Sequence, residues 1–200
     1  LADKIRQYNS DPTIDGIMVQ LPLPLDLVVF QSDLLELIDP HKDIDGLTEE
    51  GQKIYMPATV KSVVSILEAE VPNWQDQKIA VIGFTGEVGR PLVEVLQHKG
   101  VDDLILVNQT VGNLTKDLKN CDIVISATGH EHLIKPEMIK DGAVLIDVGL
   151  GDFDPTCYDK ASKYTAKYKG VGPMTVISLM ENVVESFHGT DGHYETTGRH

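Results

Sequence analysis

The 200-residue chain is short of cysteine, of aromatic residues and of positive charge. Its two cysteines, Cys121 before a strand-like run and Cys157 in a polar stretch, fit neither a disulfide framework nor zinc-site spacing, so reduced structural thiols are expected. Seventeen Lys and Arg against 31 Asp and Glu leave a formal net charge of −14. That balance argues against a general electrostatic grip on nucleic acid or an anionic membrane, so an anionic ligand needs a local site. No run approaches the roughly 18 consecutive apolar residues of a membrane span, and the opening Leu1 to Arg6 lacks a signal-peptide layout. A cytoplasmic protein with neither a nucleic-acid nor a membrane partner is expected. The seven histidines show no triad or metal spacing, so no metal site is expected.

What is present describes a folded chain, since 42% apolar and 24% charged residues are ordinary for a domain with a real core. Leu1, Ile5 and Tyr8 fall at helical spacing with no Met or turn before them, so the chain reads as cut from something longer. The apolar run Ile14 to Leu21 predicts a buried strand, ended by Pro22 and Pro24, and a helix follows over Ser32 to Ile38. Val60, Val63, Val64 and Leu67 form one stripe of a helix over Ala58 to Ala69.

From Lys78 the pattern becomes strand Ile79 to Gly83, helix Arg90 to His98, strand Leu104 to Val107, helix Leu114 to Leu118, strand Ile123 to Ala127 and strand Ala143 to Val148. These strands are apolar without alternation, which predicts an α/β domain with a doubly wound, Rossmann-like parallel sheet covered on both faces. A closing helix over Val176 to Phe187 offers Ile177, Met180, Val183, Val184 and Phe187 as a packing face.

The clearest chemical signal is Gly83-Phe84-Thr85-Gly86-Glu87-Val88-Gly89, leaving a strand and entering a helix. Glycines there permit unusual φ and close backbone approach to a pyrophosphate, and the helix N-terminus supplies N–H donors. The spacing is G-x-x-G-x-x-G, and a plain tight turn remains an equal reading. At the end of the second strand, Asn108 and Gln109 can hydrogen-bond a ribose but supply no cation for a 2′-phosphate, leaving NAD against NADP open. Asp43 and Asp45 flank Ile44 and point to opposite sides if the segment is extended. One of them either accepts the N–H edge of an amino-pyrimidine or caps a turn before Gly46. Gln20, at the end of an apolar strand, is either a satisfied edge amide or a site residue.

VQLPLP at Val19 to Pro24, DIDGL at Asp43 to Leu47, GFTGEVGRP at Gly83 to Pro91, IDVG at Ile146 to Gly149 and GVGPMT at Gly170 to Thr175 occur in order along nearly the whole chain. Together they resemble the bifunctional methylenetetrahydrofolate dehydrogenase/methenyltetrahydrofolate cyclohydrolase family, the FolD proteins. The resemblance implies a homodimer, with a folate site in a cleft between an N-terminal catalytic lobe and a C-terminal Rossmann lobe. It also implies NADP, or NAD in some members, as cofactor and tetrahydrofolate derivatives as ligands. Within it, Gln20 resembles the glutamine that tunes a catalytic lysine, and Asp45 the aspartate that anchors the pteridine. Val171, Gly172 and Pro173 resemble the folate side of the cleft. Gly83, Phe84, Thr85, Gly86, Val88 and Gly89, with Asn108, Gln109, Ala127, Thr128 and Gly129, resemble the cofactor side.

The resemblance divides the chain into 1–56, a remnant of the catalytic lobe, a linking helix and loop at 57–77, and a Rossmann domain at 78–175. A closing helix at 176–187 and a flexible tail at 188–200 follow. Departures accompany it. The family's Tyr-x-x-x-Lys is expected upstream of Leu1, so the chain reads as inactive alone and its first lobe as incomplete, dependent on a partner for solubility. Pro57-Ala58-Thr59-Val60 stands for the usual P-C-T-P, and Ala166-Lys167-Tyr168-Lys169-Gly170 for P-V-P-G-G. The alternative reading is a catalytically silent dinucleotide-binding or dimer-forming module.

Overall fold

The computed structural model describes residues 1–108 and 114–188. Gln109 and the tail from 189 onward, both part of the expectations above, lie outside the described residues. Two compact units are present, one of Leu1–Lys61 with the residues from Val176 on, the other of Ser62–Thr175.

In the first unit, α1 (Ala2–Asn9) and α2 (Gln31–Leu35) gather a small core of Ile5, Ile17, Val19, Leu23, Leu35 and Ile38. The strand expected over Ile14 to Leu21 does not form. That segment makes a single isolated bridge, Ile17 to Asp43, with Ile17 N donating to Lys42 O at 2.6 Å. A ladder needs a neighbour along its length, and here one rung is offered, so the apolar residues are buried by side-chain packing instead. The helix expected over Ser32 to Ile38 is also shorter, preceded by a 3₁₀ turn at Val28–Phe30. Asn9 captures its end, donating to Leu37 O at 2.6 Å and accepting from Asp39 N at 3.0 Å. The Lys42 ammonium donates to the carbonyls of Tyr8, Asn9 and Asp11, closing the C-terminus of α1.

The next helix, α3 (Ala58–Glu70), buries Val60, Val63, Val64 and Leu67, the stripe that its spacing predicts. In the second unit β1 (Ile79–Ile82), β2 (Leu104–Val107), β3 (Ile123–Ser126), β4 (Val144–Asp147) and β5 (Lys163–Tyr164) form one parallel sheet in the order β2-β1-β3-β4-β5. α4 (Gly89–His98) joins β1 to β2, and α5 (Leu114–Leu118) precedes β3. Every residue of β1 and β3 is buried, which is why their sequences lack alternation. One sheet face packs Ala80, Ile82, Val124 and Leu145 against Leu118, Ile134, Phe153 and both cysteines. Burial pushes the Cys121 and Cys157 thiols up to about 11, as inert structural thiols require. The edge strand β5 is too short and too exposed to show in the hydrophobic pattern.

α6 (Val171–His188) starts five residues before the expected helix and presents its faces differently. The expected packing residues are exposed, Met180 at 63% and Phe187 at 70%, while Ser178 and Asn182 are buried. The reason is what the first unit offers to this helix. Asn182 Nδ2 donates to Ile44 O at 2.9 Å and to Met56 O at 3.0 Å, and its Oδ1 accepts from Lys61 Nζ at 3.1 Å. Loop carbonyls need donors, so a polar face turns inward. Asn182→Leu keeps the number and branching of heavy atoms and removes those donors, and is expected to cost on the order of 2 kcal/mol in urea denaturation of the chain.

Candidate functional site

In the order β2-β1-β3, the chain leaves β1 toward one side and returns on the other, so the carboxyl ends of β1 and β3 border a crevice. Ile82 pairs with Val107 and with Ser126, which sets Gly83 between Asn108 and Ala127. Gly83 adopts φ +82°, and a Cβ on it would lie 2.6 Å from Ala127 O. A Cβ on Gly89 would collide with the Gly83 carbonyl. Both positions therefore demand glycine, one for conformation and both for close approach. α4 has no side-chain cap, and among the described residues no acceptor reaches the N–H groups of Thr85, Val88 or Gly89. Thr85 and Gly86 are exposed, while Phe84 and Val88 are half-buried. The glycine turn forms a cradle of uncapped N–H groups with a helix dipole behind it, an arrangement able to hold an anion such as a phosphate.

Across the crevice, Ala127 and Thr128 are half-buried and Gly129, at φ +66°, is exposed. Asn108 follows β2 and is half-buried. The Thr128 hydroxyl and N–H both donate to Asp152 Oδ2 at 2.8 Å. Asp147, at the end of β4, accepts from Gly151 N at 2.8 Å and holds the Tyr158 hydroxyl. Burial pushes Asp147 above the ordinary carboxylate range, against the opposing pull of those N–H donors. Tyr158 is pushed up to about 12 by burial and then by the Asp147 charge.

Gln20 and Asp45 lie in the first unit. Gln20 is exposed and donates to Leu21 O at 3.0 Å, beside a cis Leu21–Pro22 peptide. The segment carrying Asp43 and Asp45 is a tight turn, not the extended stretch expected, with Gly46 at φ +65°. Capping falls to Asp43, which accepts from Leu47 N at 3.2 Å, Thr48 N at 2.8 Å and Thr48 Oγ1 at 2.7 Å. Asp45 is given no hydrogen-bond donor by the described residues, and burial, then the Asp43 charge, raise its pKa. Val171, Gly172 and Pro173 form the first turn of α6 in the second unit, Val171 buried and the other two exposed.

Residues 57–191 match the family model of the tetrahydrofolate dehydrogenase/cyclohydrolase NAD(P)-binding domain, and residues 1–45 that of the catalytic domain. The chain belongs to the tetrahydrofolate dehydrogenase/cyclohydrolase family. It is 38% identical over 201 residues to the bifunctional protein FolD of Lactobacillus gasseri, covering 92% of this chain and 70% of that protein. With the FolD of Mesoplasma florum it is 37% identical over 200 residues, covering 91% and 69%. The crystal structure of the Campylobacter jejuni FolD superposes with a TM-score of 0.84 at 28% identity, covering 94% of this chain and 72% of that one. The Trypanosoma brucei FolD, solved with NADP cofactor and an inhibitor, gives 0.82 at 27% identity with the same coverage.

Sequence reasoning placed Asp147 and Asp152 inside the Rossmann domain but named neither among its site residues. The available signal was an acid closing an apolar strand and another directly after Gly149-Leu150-Gly151, since a buried acid needs donors and glycine turns supply free N–H groups.

Gly89→Ala is expected to cost about 1–3 kcal/mol through overpacking and to abolish dinucleotide binding in calorimetry. Gly86→Ala, whose Cβ meets Gly83 O at 3.3 Å, is expected to be milder in both. For Asp45 the sign follows from its raised pKa. Ionisation opposes folding, so stability falls as pH rises above the ordinary carboxylate value of 3.8. Asp45→Asn is therefore expected to melt higher than the parent chain at pH 7 and equally below 3.8.

Proposed function

We propose that these residues bind the two ligands of a methylenetetrahydrofolate dehydrogenase/methenyltetrahydrofolate cyclohydrolase, with NADP as the preferred dinucleotide and NAD as a second. The observation that carries the reading is the glycine cradle at the β1–β3 crevice, in a chain whose family is the dehydrogenase/cyclohydrolase. In the first reaction a hydride leaves 5,10-methylenetetrahydrofolate to give the 5,10-methenyl cation. In the second, water adds to that cation and a proton is lost, giving 10-formyltetrahydrofolate. NADP, when bound, supplies the hydride acceptor.

Each residue then has a physical task. Gly83, Gly86 and Gly89 let the backbone approach the pyrophosphate, and Thr85 and Val88 add N–H donors there. Phe84 walls the loop, Asn108 and Gln109 are assigned hydrogen bonds to the ribose, and Ala127, Thr128 and Gly129 hold the cofactor from the other side of the crevice. Asp45 takes the N–H donors of the pteridine. A carboxylate with no donor of its own and a raised pKa has its charged form stabilised when such donors arrive. Gln20 acts at the reacting end of the folate, with Val171, Gly172 and Pro173 shaping its contacts. The reading includes a cytoplasmic homodimer feeding one-carbon units to purine biosynthesis.

The 200 residues contain no Tyr-x-x-x-Lys, so by themselves they are assigned binding without a proton carrier for the cyclohydrolase step. Calorimetric titration with NADP and then NAD, followed by a dehydrogenase assay with methylenetetrahydrofolate, tests this. NADP binding without turnover is the expected result. Failure to bind either nucleotide overturns the reading, and turnover by the 200 residues overturns the assignment of binding alone.

A further inference from the structure

The Asp152 side chain is fully buried, and its two oxygens are used unequally. Oδ2 accepts three hydrogen bonds, from Ser126 Oγ at 2.6 Å and from Thr128 N and Thr128 Oγ1 at 2.8 Å each. Oδ1 has no partner among the described residues and lies over Gly149, where any side chain would collide with the carboxylate. Among the described residues, every hydrogen bond to this side chain therefore acts through one oxygen, which ties the carboxylate to a single neighbouring segment. Here all the donors come from the end of β3 and the turn that follows.

That turn meets the glycine loop. The Thr128 methyl would lie 3.2 Å from a Cβ on Gly83, and Ala127 O at 2.6 Å. Thr128 Oγ1 also accepts from His130 N at 3.2 Å, so the hydroxyl held by Asp152 ties down the turn through Gly129. The backbone at Asp152 is held in turn. Asp147 accepts from Gly151 N at 2.8 Å and Asp152 N at 3.4 Å, and Asp152 O accepts from Ile134 N at 2.9 Å. A chain of contacts thus runs from the end of β4, through Asp152, to the residue beside the first glycine of the cradle.

We propose that Asp152 is a positioning residue for the dinucleotide site, fixing the Thr128–Gly129 turn against Gly83 through one carboxylate oxygen. It rests on the dinucleotide reading above, and it assigns to Asp152 no contact with the nucleotide itself. Ser126 and Thr128 share the same oxygen, but only Thr128 belongs to the turn.

The test is calorimetric affinity of the 200-residue chain for NADP, with circular-dichroism melts, in Ser126→Ala, Thr128→Val, Asp152→Ala and Asp152→Asn. Ser126→Ala is expected to bind within about twofold of the parent, and Thr128→Val and Asp152→Ala about tenfold more weakly. The two losses are expected not to add in the double variant. Asp152→Asn, whose amide oxygen takes the place of Oδ2, is expected to recover affinity to within about threefold. Equal affinity in Thr128→Val and Ser126→Ala, with similar loss of melting temperature, overturns the proposal and leaves Asp152 a fold residue. Should Asp152→Ala not fold, that pair and the Asn variant decide. A parent chain that binds no NADP overturns the dinucleotide reading together with the proposal, whereas binding unchanged across the variants overturns the positioning role alone.

Discussion

The carbonyl of Gly83 rests against the α-carbon of Gly89, and the second unit is built around that approach. It brings the start of α4 down onto the end of β1, so that Leu92 and Leu96 are fully buried and Val93 and Val95 nearly so. The same approach aims an uncapped helix N-terminus at the crevice between β1 and β3. Packing and ligand geometry are therefore one constraint here. A side chain at Gly89 would lift the helix, loosen its apolar stripe and move its N–H groups away from the crevice.

Around this contact an acidic chain uses its acids as internal acceptors. Asp43, Asp147 and Asp152 are buried, and each accepts backbone N–H groups released by a turn: Leu47 and Thr48, Gly151 and Asp152, and Thr128. Burying a carboxylate is costly unless such donors meet it, and donors in a turn otherwise go unpaired. Each pairing answers both requirements. Asp147 shows the remaining tension, because burial raises its pKa even while N–H donors lower it.

The sequence legibly marks whatever is buried on both sides. IAVIG, IVISA and AVLIDVG become the three central strands because covered parallel strands leave no choice but continuous apolar runs, while LILV forms the edge strand β2, where Leu106 is exposed. It misleads where a partner decides the outcome. Ile14 to Leu21 has the composition of a strand, but a strand is a relation between two segments, and Lys42–Asp43 supplies one rung of it. The apolar stripe of α6 misleads similarly, since the facing loop presents carbonyls that Asn182 alone on that helix face can satisfy twice. In the crevice, the glycine turn is readable because φ and steric demands act on residue type directly. Asp152 is not, because its importance comes from Thr128 and Ser126, which reach it only through the sheet.

Asp45 contrasts with these acids, each of which receives backbone donors. Two positions away, Asp43 is wholly buried with three donors, and the turn needs no second carboxylate to hold it. Asp45 nonetheless sits partly buried, without a donor from the described residues and under the repulsion of Asp43. Nothing in the apo fold offsets that combination, which a neutral side chain would avoid. The Asp45 carbonyl accepts from Ala58 N at 3.3 Å, but its carboxylate is one that an external N–H donor would stabilise, which is the task proposed for it above. The pteridine edge, with its adjacent N–H groups, is a donor of that kind.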